Sequence, residues 1–435
     1  MTQNVFVIGM NDLNRERMGR LLGAEDIEFQ PLLDYSSIYE TEDFNMPALI
    51  EVAERQLDEH RAAGGTIDAI IGYADFPVST MLPILARKYG TRNTSLESLL
   101  KCEHKFWSRQ VQAEAIPDHV PAFTAFDPFD DEALSKIGQA GLAFPFFVKP
   151  IKSSGSRLGF RVDNPEDFDY AIGRFRAEIG AYGEPFQHIL DMADLPDDVR
   201  AVQGGFCMAE QVIGGRQCTL EGYVHDGEVV PYGVVDSIRY PQVLSFFYYM
   251  YPSKLPRRVQ EKMGEITRTV MSHIGYDNSA FNVEYFWDEV QDRIWLLEIN
   301  TRIAQSHCDL FEKVDGRSHQ QVAVDLGLGV RPRMPKGEGG YGVGAEFFYR
   351  VFFGDATVAR VPPPEEIEAA AARVPGTTII PQVREGMRLS DLPEQDAYSF
   401  AVACIWMGAN TQSSLLWNYE RVLKGLDFEF TDIEE

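Results

Sequence analysis

Cysteine and basic residues are both scarce in this sequence of 435 residues. It has only five cysteines, which are scattered and form no CxxC pair: Cys102, Cys207, Cys218, Cys308 and Cys404. We therefore expect neither a disulfide framework nor a structural zinc site, and a reducing compartment fits best. Lys and Arg number 40 against 66 Asp and Glu, which gives a formal net charge of −26. Because so acidic a surface repels phosphate backbones and anionic lipid, we expect neither nucleic acid nor a membrane surface as a partner.

Long hydrophobic runs are also missing from the sequence. No uninterrupted apolar run approaches the roughly 20 residues that are needed to span a bilayer. The first ten residues, MTQNVFVIGM, lack the basic segment of a secretory signal. Hydrophobic residues make up 45% of the chain and charged residues 24%, which is ordinary globular composition. These features predict a cytoplasmic protein with several packed units.

Strand and helix patterns alternate over about the first 100 residues, which predicts an open, mostly parallel sheet. Strand patterns occupy 4–9 and 67–73, and helical spacing occurs at 15–22, 47–63 and 77–89. A dinucleotide-binding turn is excluded, because Gly9 is followed by Asn11 and Asn14 where the motif G-x-G-x-x-G needs its later glycines.

The first candidate for ligand binding is Lys149, which ends the apolar segment FPFFVKP, together with the following segment KSSGSRLG at 152–159. Small polar residues and glycines supply hydroxyl and backbone donors of the kind that close over phosphates. Taken alone, a surface lysine beside a polar turn is the more common explanation of such a segment.

The second candidate is a pair of predicted strands, FNVEYF and IWLLEINTR. Glu284 lies within the first, and Glu298, Asn300 and Arg302 follow at alternate positions in and after the second, so that their side chains share one face. Trp295, Leu297 and Ile299 are expected on the opposite face. Two carboxylates and an amide oxygen suit Mg²⁺, and Arg302 suits a phosphate or carboxylate. A solvated hairpin face with alternating charges is the other interpretation.

Two weaker candidates complete the set. The segment EQVIGG, beginning at Glu210, is either a plain hairpin or a backbone edge against which a purine docks. Lys105 lies in a predicted helix, where a solvated lysine is the commoner case.

After Gly329 the sequence becomes glycine-rich and then proline-rich and acidic, which indicates a separate C-terminal unit.

In their order and spacing, these segments together resemble the ATP-grasp superfamily over about residues 1–330. The most specific element is LLEINTR, with Glu284 fourteen residues before Glu298. The LEGYV strand and the PSKLP segment at 252–256 look most like carboxylate–amine ligases of the L-amino-acid ligase group. The C-terminal unit also resembles part of biotin carboxylase.

The resemblance implies an α/β fold that is α+β in its ATP-binding part. Residues 1–103 would form an N-terminal open parallel sheet domain, and residues 104–330 a two-lobed ATP-grasp domain. Its small lobe would span about 120–210 and its large lobe about 211–330. Residues 331–435 would form a smaller C-terminal α+β domain.

The resemblance also implies a role for each candidate residue. Lys149 and Arg302 would be catalytic, Arg302 by steadying an acyl phosphate or a substrate carboxylate. Glu221 would lie near the substrate amine. One or two Mg²⁺ or Mn²⁺ ions would bind to Glu284, Glu298 and Asn300. ATP would contact Lys105, Lys149, Ser153, Ser154, Gly155, Ser156, Glu210, Gln211, Ile213, Gln217 and Arg239. Gln217 departs from the family pattern, which often has an acidic ribose-binding residue there, and Arg239 stands in for a phosphate-binding lysine.

The implied activity is ATP-dependent ligation of a carboxylate to an amine through an acyl phosphate, on small amino-acid-like substrates. A homodimer is compatible with it, since dimers are common among similar ligases. Two alternatives stay open: a biotin-carboxylase-like or purine-pathway carboxylase that uses bicarbonate, and a nucleotide-binding regulatory module without catalysis. Four residues after the metal strand either border the acceptor pocket or lie in a solvated loop: His307, Asp309, Arg317 and His319.

Overall fold

The computed structural model of the protein describes residues 2–39, 41, 44–153, 157–241, 243, 245–352, 354–392 and 399–433. It is a mixed α/β structure with a parallel N-terminal sheet and a large antiparallel sheet, which confirms the predicted fold class. None of the described helices has the length and apolar composition that a membrane span requires.

The N-terminal sheet has three parallel strands, with β1 between β2 and β3. Its strands are β1 (Gln3–Ile8), β2 (Ile27–Leu32) and β3 (Ala69–Ile71). The surrounding helices are α1 (Asp12–Met18), α2 (Ser36–Tyr39), α3 (Met46–Ala62), α4 (Val78–Tyr89) and α5 (Leu96–Glu103). Asn11, which the sequence places where a dinucleotide fold needs glycine, instead caps α1 by accepting a hydrogen bond from the Asn14 backbone. The cap starts this helix three residues earlier than predicted.

Helix α6 (Lys105–Ala115) leads from this region into a small four-stranded antiparallel sheet of order β4-β7-β5-β6. Its strands are β4 (Phe123–Phe126), β5 (Phe146–Pro150), β6 (Phe160–Val162) and β7 (Cys207–Gln211). The helices are α7 (Ala133–Gln139), α8 (Pro165–Glu178), α9 (Gly180–Leu190) and α10 (Asp197–Arg200). Apolar side chains of β5 and α8, including Phe146, Val148 and Phe175, form its core.

The large sheet has eight antiparallel strands in the order β12-β11-β8-β9-β10-β13-β16-β15. The strands before residue 331 are β8 (Arg216–His225), β9 (Glu228–Arg239), β10 (Phe246–Tyr251), β11 (Ser279–Asp288) and β12 (Arg293–Asn300). The helices are α11 (Arg257–Ile274), α12 (Cys308–Asp315) and α13 (Gln320–Gly327). Asp226 and Gly227 both have positive φ between β8 and β9, which is the backbone that a tight hairpin turn requires and that the His-Asp-Gly sequence predicts.

The C-terminal elements extend this same sheet. They are β13 (Val343–Val351), β14 (Thr357–Arg360), α14 (Pro364–Ala372), β15 (Thr378–Pro381), β16 (Phe400–Ala409), α15 (Gln412–Leu423) and β17 (Glu429–Thr431). Strand β13 pairs with β10 on one side and β16 on the other, and Met250 shares a core with Phe347 and Ile405. The predicted domain boundaries stay predictions, but the sheet is continuous across residue 331.

Candidate active site

Strands β11 and β12 bring the predicted metal-binding side chains together. Glu284 pairs in register with Glu298, and Asn282 pairs with Asn300. The Asn300 amide nitrogen donates to Asn282 Oδ1 at 2.9 Å and to Glu284 Oε1 at 3.2 Å. Gln217 on β8 donates through Nε2 to Glu284 Oε2 at 3.0 Å. The spacing of these residues in the sequence therefore corresponds to one polar patch on the sheet.

A β-bulge at Leu297 lies beside this patch. The register shifts there, because Tyr285 pairs with Leu296 directly after Glu284 pairs with Glu298. The buried core face of β12 therefore carries Ile294, Leu296 and Ile299. The predicted apolar face of Trp295, Leu297 and Ile299 is wrong, because strict alternation does not hold across a bulge.

The donor set fits a hard cation that also binds ligand oxygens. No group of three or more His, Cys, Asp or Glu side chains in the described ranges is placed to hold a metal. Mg²⁺, however, is commonly held by one or two carboxylates together with water and phosphate oxygens. Burial, and then the neighbouring Glu298, raise the pKa of Glu284, so that a cation between the two carboxylates would be favourable. Glu284, Glu298 and the amide oxygen of Asn300 therefore suit Mg²⁺ or Mn²⁺.

Three buried lysines surround the carboxylate patch. Lys105 Nζ lies 3.1 Å from Glu298 Oε1 and donates to the Ser153 carbonyl at 3.1 Å. Burial lowers the pKa of Lys105, and the carboxylate of Glu298 opposes that shift. For Glu298 burial raises the pKa, but Lys105 and Lys149 outweigh it, and the net shift is downward. A dense, alternating set of charges thus lies where the sequence predicts phosphate binding.

The other two lysines are also paired. Lys149 Nζ lies 2.5 Å from Glu210 Oε1. Lys152, which the sequence assigns to the phosphate-covering segment, instead donates to Glu103 Oε2 at 2.6 Å. Ser154, Gly155 and Ser156 lie outside the described residues. The role predicted for the segment 152–159 stays a prediction.

Arg109 on α6 is a residue that the sequence did not reveal. Its guanidinium is buried and contacts Glu210 Oε2 at 2.9 Å. It also donates to the carbonyls of Leu296 and Leu297 at 2.9 and 2.8 Å, and so satisfies the backbone at the bulge. Arg109 thereby links β7 of the small sheet to β12 of the large one. The available signal was a polar stripe at helical spacing on α6: Lys105, Ser108, Arg109 and Gln112.

Glu210 is consequently the centre of an ion cluster rather than a free side chain. Burial raises the pKa of its carboxyl, but Arg109 and Lys149 outweigh burial and bring that pKa down to about 2.

The connection between β7 and β8 contains the residues predicted to border a purine. Strand β7 ends at Gln211, and half-buried Ile213 lies in the connection. Gly215 completes that connection at φ +129°, where a Cβ atom would come within 2.3 Å of the Trp287 carbonyl. The roles of Gln211 and Ile213 at a purine stay predictions.

Arg239 lies next to the carboxylate patch. Its Nη2 donates to Gln217 Oε1 at 2.7 Å, and Gln217 in turn donates to Glu284. The guanidinium also lies 4.2 Å from the centre of the Phe246 ring. A continuous hydrogen-bond chain thus joins Arg239 to the predicted metal ligands.

Arg302 follows β12, and its guanidinium contacts the segment between β3 and α4. Its Nη2 donates to Asp75 Oδ2 at 2.6 Å. Burial raises the pKa of Asp75, but the charge and hydrogen bond of Arg302 dominate and lower it. Asp75 therefore orients the guanidinium, and nothing in the sequence spacing pointed to this residue.

Glu221 lies on β8 in a fully buried cluster with two histidines. His307 Nδ1 lies 2.7 Å from Glu221 Oε1, at hydrogen-bond distance. Glu221 Oε2 lies 3.7 Å from His319 Nδ1 and has no hydrogen-bond partner among the described residues. The Nε2 of His319 lies 2.6 Å from the Ala304 carbonyl, which leaves Nδ1 to accept from Tyr232. Burial raises the pKa of Glu221 to about 7 and lowers that of His307 to about 3.

The solvated-loop interpretation is therefore wrong for both histidines. Asp309 is paired with Arg17 of α1 at 3.1 Å. Arg317 donates to the Arg333 carbonyl at 2.6 Å and is not part of the buried cluster.

Comparisons with known proteins concern the domain that carries these residues and the fold of the chain. Residues 142–309 match the family described as ATP-grasp domain. A D-alanine–D-alanine ligase of Parasynechococcus marenigrum is 24% identical over 204 residues, which are 46% of this chain and 52% of that protein. The match thus spans about half the length of this curated relative.

Two solved structures share the fold over nearly the whole chain. An L-amino acid ligase from Bacillus licheniformis has a TM-score of 0.69 at 15% identity, over 99% of each chain. The biotin carboxylase domain of a Hydrogenobacter thermophilus 2-oxoglutarate carboxylase, in complex with MgADP and bicarbonate, has a TM-score of 0.64 at 16% identity. That likeness covers 100% of this chain and 92% of the other. Residues 142–309 thus match an ATP-grasp domain, and the chain shares its fold with these enzymes, in agreement with the superfamily that its sequence resembles.

Proposed function

We propose that this chain is an ADP-forming carboxylate–amine ligase that joins small amino-acid-like substrates at the expense of ATP. The observation that supports it is the patch of Glu284, Glu298 and Asn300, which lies in direct ionic contact with Lys105. Paired carboxylates for a hard cation beside lysines for phosphate are what phosphoryl transfer requires. The match of residues 142–309 to an ATP-grasp domain supports ATP as the nucleotide bound beside this patch.

In this proposal each part of the site binds one part of the reactants. Lys105, Lys149 and Arg239, which stands in for a further lysine, would bind the phosphates of ATP. Gln217, which lies between Arg239 and Glu284, would face the ribose. The backbone at Gln211 and Ile213 borders the adenine. One or two Mg²⁺ or Mn²⁺ ions, held by Glu284, Glu298 and Asn300, would neutralise phosphate charge.

The reaction itself has two steps. An oxygen of the substrate carboxylate attacks the terminal phosphorus, and the bond from that phosphorus to ADP breaks. The lone pair of the substrate amine then attacks the acyl carbon, phosphate leaves, and the nitrogen loses a proton. Arg302, oriented by Asp75, would hold the carboxylate and then the acyl phosphate. Glu221 would bind the amine substrate near its nitrogen.

The proposal includes a cytoplasmic location, small-molecule partners and no nucleic acid, and it is compatible with a homodimer.

Bicarbonate is a second candidate for the phosphorylated acid, because the fold is also that of a biotin carboxylase domain in complex with bicarbonate. ADP release that depends on bicarbonate and on no amino acid would favour such a carboxylase, whether of the biotin or the purine-pathway type.

The test is ADP release measured over pairs of amino acids, with mass spectrometry of the products. Glu284→Gln removes one charge from the patch, and Glu289→Gln is its matched control, since Glu289 is exposed in the turn of the same hairpin. We expect Glu284→Gln to lower ATP turnover about 100-fold, the scale of losing one transition-state contact. Glu289→Gln should change turnover less than about twofold. ATP turnover that never depends on a carboxylate would contradict the ligase, and ATP binding without turnover would favour a regulatory module.

A further inference from the structure

A buried ion pair lies near the end of β12, between residues to which the proposed function gives no role. Lys152 Nζ lies 2.6 Å from Glu103 Oε2, and the two side chains are 7% and 3% exposed. Glu103, the last residue of α5, also accepts a hydrogen bond through Oε1 from the hydroxyl of Thr301. Thr301 stands between Asn300 and Arg302 in the chain. One carboxylate therefore ties the segment after β5 to the segment that carries these two site residues.

Lys152 also acts on Asp75, the residue that orients Arg302. Burial lowers the pKa of Lys152, but Glu103 and then Asp75 outweigh burial, and the net shift is upward. Burial raises the pKa of Asp75, Arg302 lowers it most, and Lys152 is the next charge that lowers it. Basic and acidic groups thus alternate, in the order Glu103, Lys152, Asp75 and Arg302.

Two aromatic rings flank the ammonium of Lys152. Its Nζ lies 5.9 Å from the centre of the Phe76 ring and 6.0 Å from that of Phe186. The rings contact each other edge to face, with their centres 5.9 Å apart. Such contacts favour an ammonium that stays in place away from water. Lys105, in contrast, contacts Glu298 of the carboxylate patch and is the lysine placed for a phosphate.

The alternating charges affect how strongly Arg302 binds an anion. Asp75 repels an anion at Arg302, and Lys152 offsets part of that repulsion. Without Lys152, the full charge of Asp75 would act on Arg302. Without Glu103, the ammonium of Lys152 would turn to Asp75 and compete with Arg302 for that carboxylate. Either loss would weaken the binding of an anion at Arg302.

We propose that Glu103 and Lys152 are positioning residues that set Arg302 to receive the substrate carboxylate, without touching ATP or substrate themselves. This inference rests on the proposed ligase function. It assigns the first lysine of the segment 152–159 to the acyl side of the reaction instead of to the phosphates of ATP.

The first experiment separates the two substrates of the phosphorylation step. ADP release is measured with the amino-acid pair that gives most ADP, while either ATP or the carboxylate substrate is varied. We expect Lys152→Met to raise KM for the carboxylate about tenfold, or about 1.4 kcal/mol, and KM for ATP less than about twofold. Lys88→Met, which breaks a more exposed ion pair with Glu54, is the control and should change neither constant. A rise in KM for ATP alone in Lys152→Met would overturn the proposal.

The sign of the effect at Glu103 distinguishes positioning from the local charge. If only the charge mattered, Glu103→Gln would make the region more positive and would lower KM for the carboxylate. Positioning predicts the opposite, a rise of about tenfold, because Lys152 would then compete for Asp75. Glu59→Gln, an exposed change on α3, should leave KM unchanged. An unchanged or lowered KM in Glu103→Gln would overturn the proposal.

The double variant Glu103→Gln/Lys152→Met separates positioning from a purely structural role. Breaking a buried pair costs stability, whereas replacing both charges by neutral side chains removes much of that cost. We therefore expect the Tm of the double variant to recover toward that of the wild type, while KM for the carboxylate stays raised. Recovery of both would leave the pair a structural role only and would contradict the proposal.

Labelling of arginine with phenylglyoxal tests the position of Arg302 without turnover, with mass spectrometry of the peptides. Arg302 should react faster than in the wild type when Glu103→Gln frees it from Asp75, and more slowly in Lys152→Met. Exposed Arg87 on α4 should react equally in all three proteins. If these rates differ as expected but no product forms, only the ligase proposal fails. Equal rates at Arg302 in a protein that does ligate amino acids would overturn the positioning role alone.

Discussion

The two halves of the candidate site treat buried charge in opposite ways. On the side of the small sheet, Lys105, Lys149 and Lys152 each have a carboxylate oxygen within 3.1 Å. Elsewhere on the large sheet, Glu221 and Glu346 each have an oxygen with no hydrogen-bond partner among the described residues. Paired charges stabilise the protein without a ligand, whereas an unpartnered carboxylate costs free energy until a ligand supplies the partner. The first half thus balances its buried charges, whereas the second keeps two buried carboxylates without a lysine or arginine in direct contact in the part of the chain that the structure describes.

The largest loss of stability is expected from a substitution in the half of the site whose buried charges are paired. Arg109→Met leaves Glu210 with Lys149 alone and removes the donors from the bulge carbonyls of β12. Removing one partner of a buried ion pair costs about 3–5 kcal/mol, so we expect a loss of that size in the free energy of unfolding in urea. The control is Arg161→Met, whose pair with Asp163 is exposed and should contribute less than about 1 kcal/mol. Equal losses in the two variants would refute the structural role of Arg109.

A substitution in the half with unpaired carboxylates is expected to raise the stability of the protein at high pH, by an intermediate amount. The pKa of Glu346 is raised to about 8 in the folded protein, above its value of 4.5 when exposed. The stability that this carboxyl contributes is therefore complete below about pH 4.5 and is lost as the pH rises through 8. Glu346→Gln has no such loss, and we expect it to be more stable than the wild type at pH 9 by about 2 kcal/mol. At pH 5 the two should differ little.

Thermal unfolding at several pH values measures this difference, with Glu365→Gln as the control for removing an exposed carboxylate. A wild type that equals or exceeds Glu346→Gln at pH 9 would mean that Glu346 already has a partner in the protein. The contrast between the two halves would then disappear.

The smallest effect concerns the contact of Arg302 with Asp75, which neither half contains. Asp75→Asn keeps a polar group beside Arg302 but removes the charge that orients it. We expect kcat/KM for the carboxylate substrate to fall about tenfold, or about 1.4 kcal/mol, mostly through KM. Asp26→Asn, an exposed change in the same N-terminal region, should leave both constants unchanged. A fall in kcat alone would show that Asp75 does not act through substrate binding.

Local patterns predicted the elements of the site better than the contacts between them. The alternation that places Glu284, Glu298 and Asn300 on one face is a property of two adjacent strands, and the structure has that pairing. The bulge at Leu297 is not visible in alternation, because it depends on the buried guanidinium of Arg109 from another element. Contacts between distant segments leave no periodic signal in the sequence.

The same reasoning explains why the burial of Glu346 was missed. The change of composition after Gly329 indicated a separate unit, and a glutamate in such a unit has no local reason to be buried in the sheet that carries Glu284. Only the pairing of β13 with β10 places it in that sheet. Likewise, His307 and His319 look like loop residues, and their burial follows from packing against Glu221.

The continuity of the large sheet makes the C-terminal residues part of the folding of the site. Strand β10, which carries Tyr249, has neighbours on both sides, and one of them is β13. A chain that ended near residue 331 would turn β10 into an open edge, with unpaired amides and exposed aromatic side chains. Such an edge pairs readily with other chains. We therefore expect that a shortened protein would aggregate instead of retaining a nucleotide-binding core, and that the two parts unfold in a single transition.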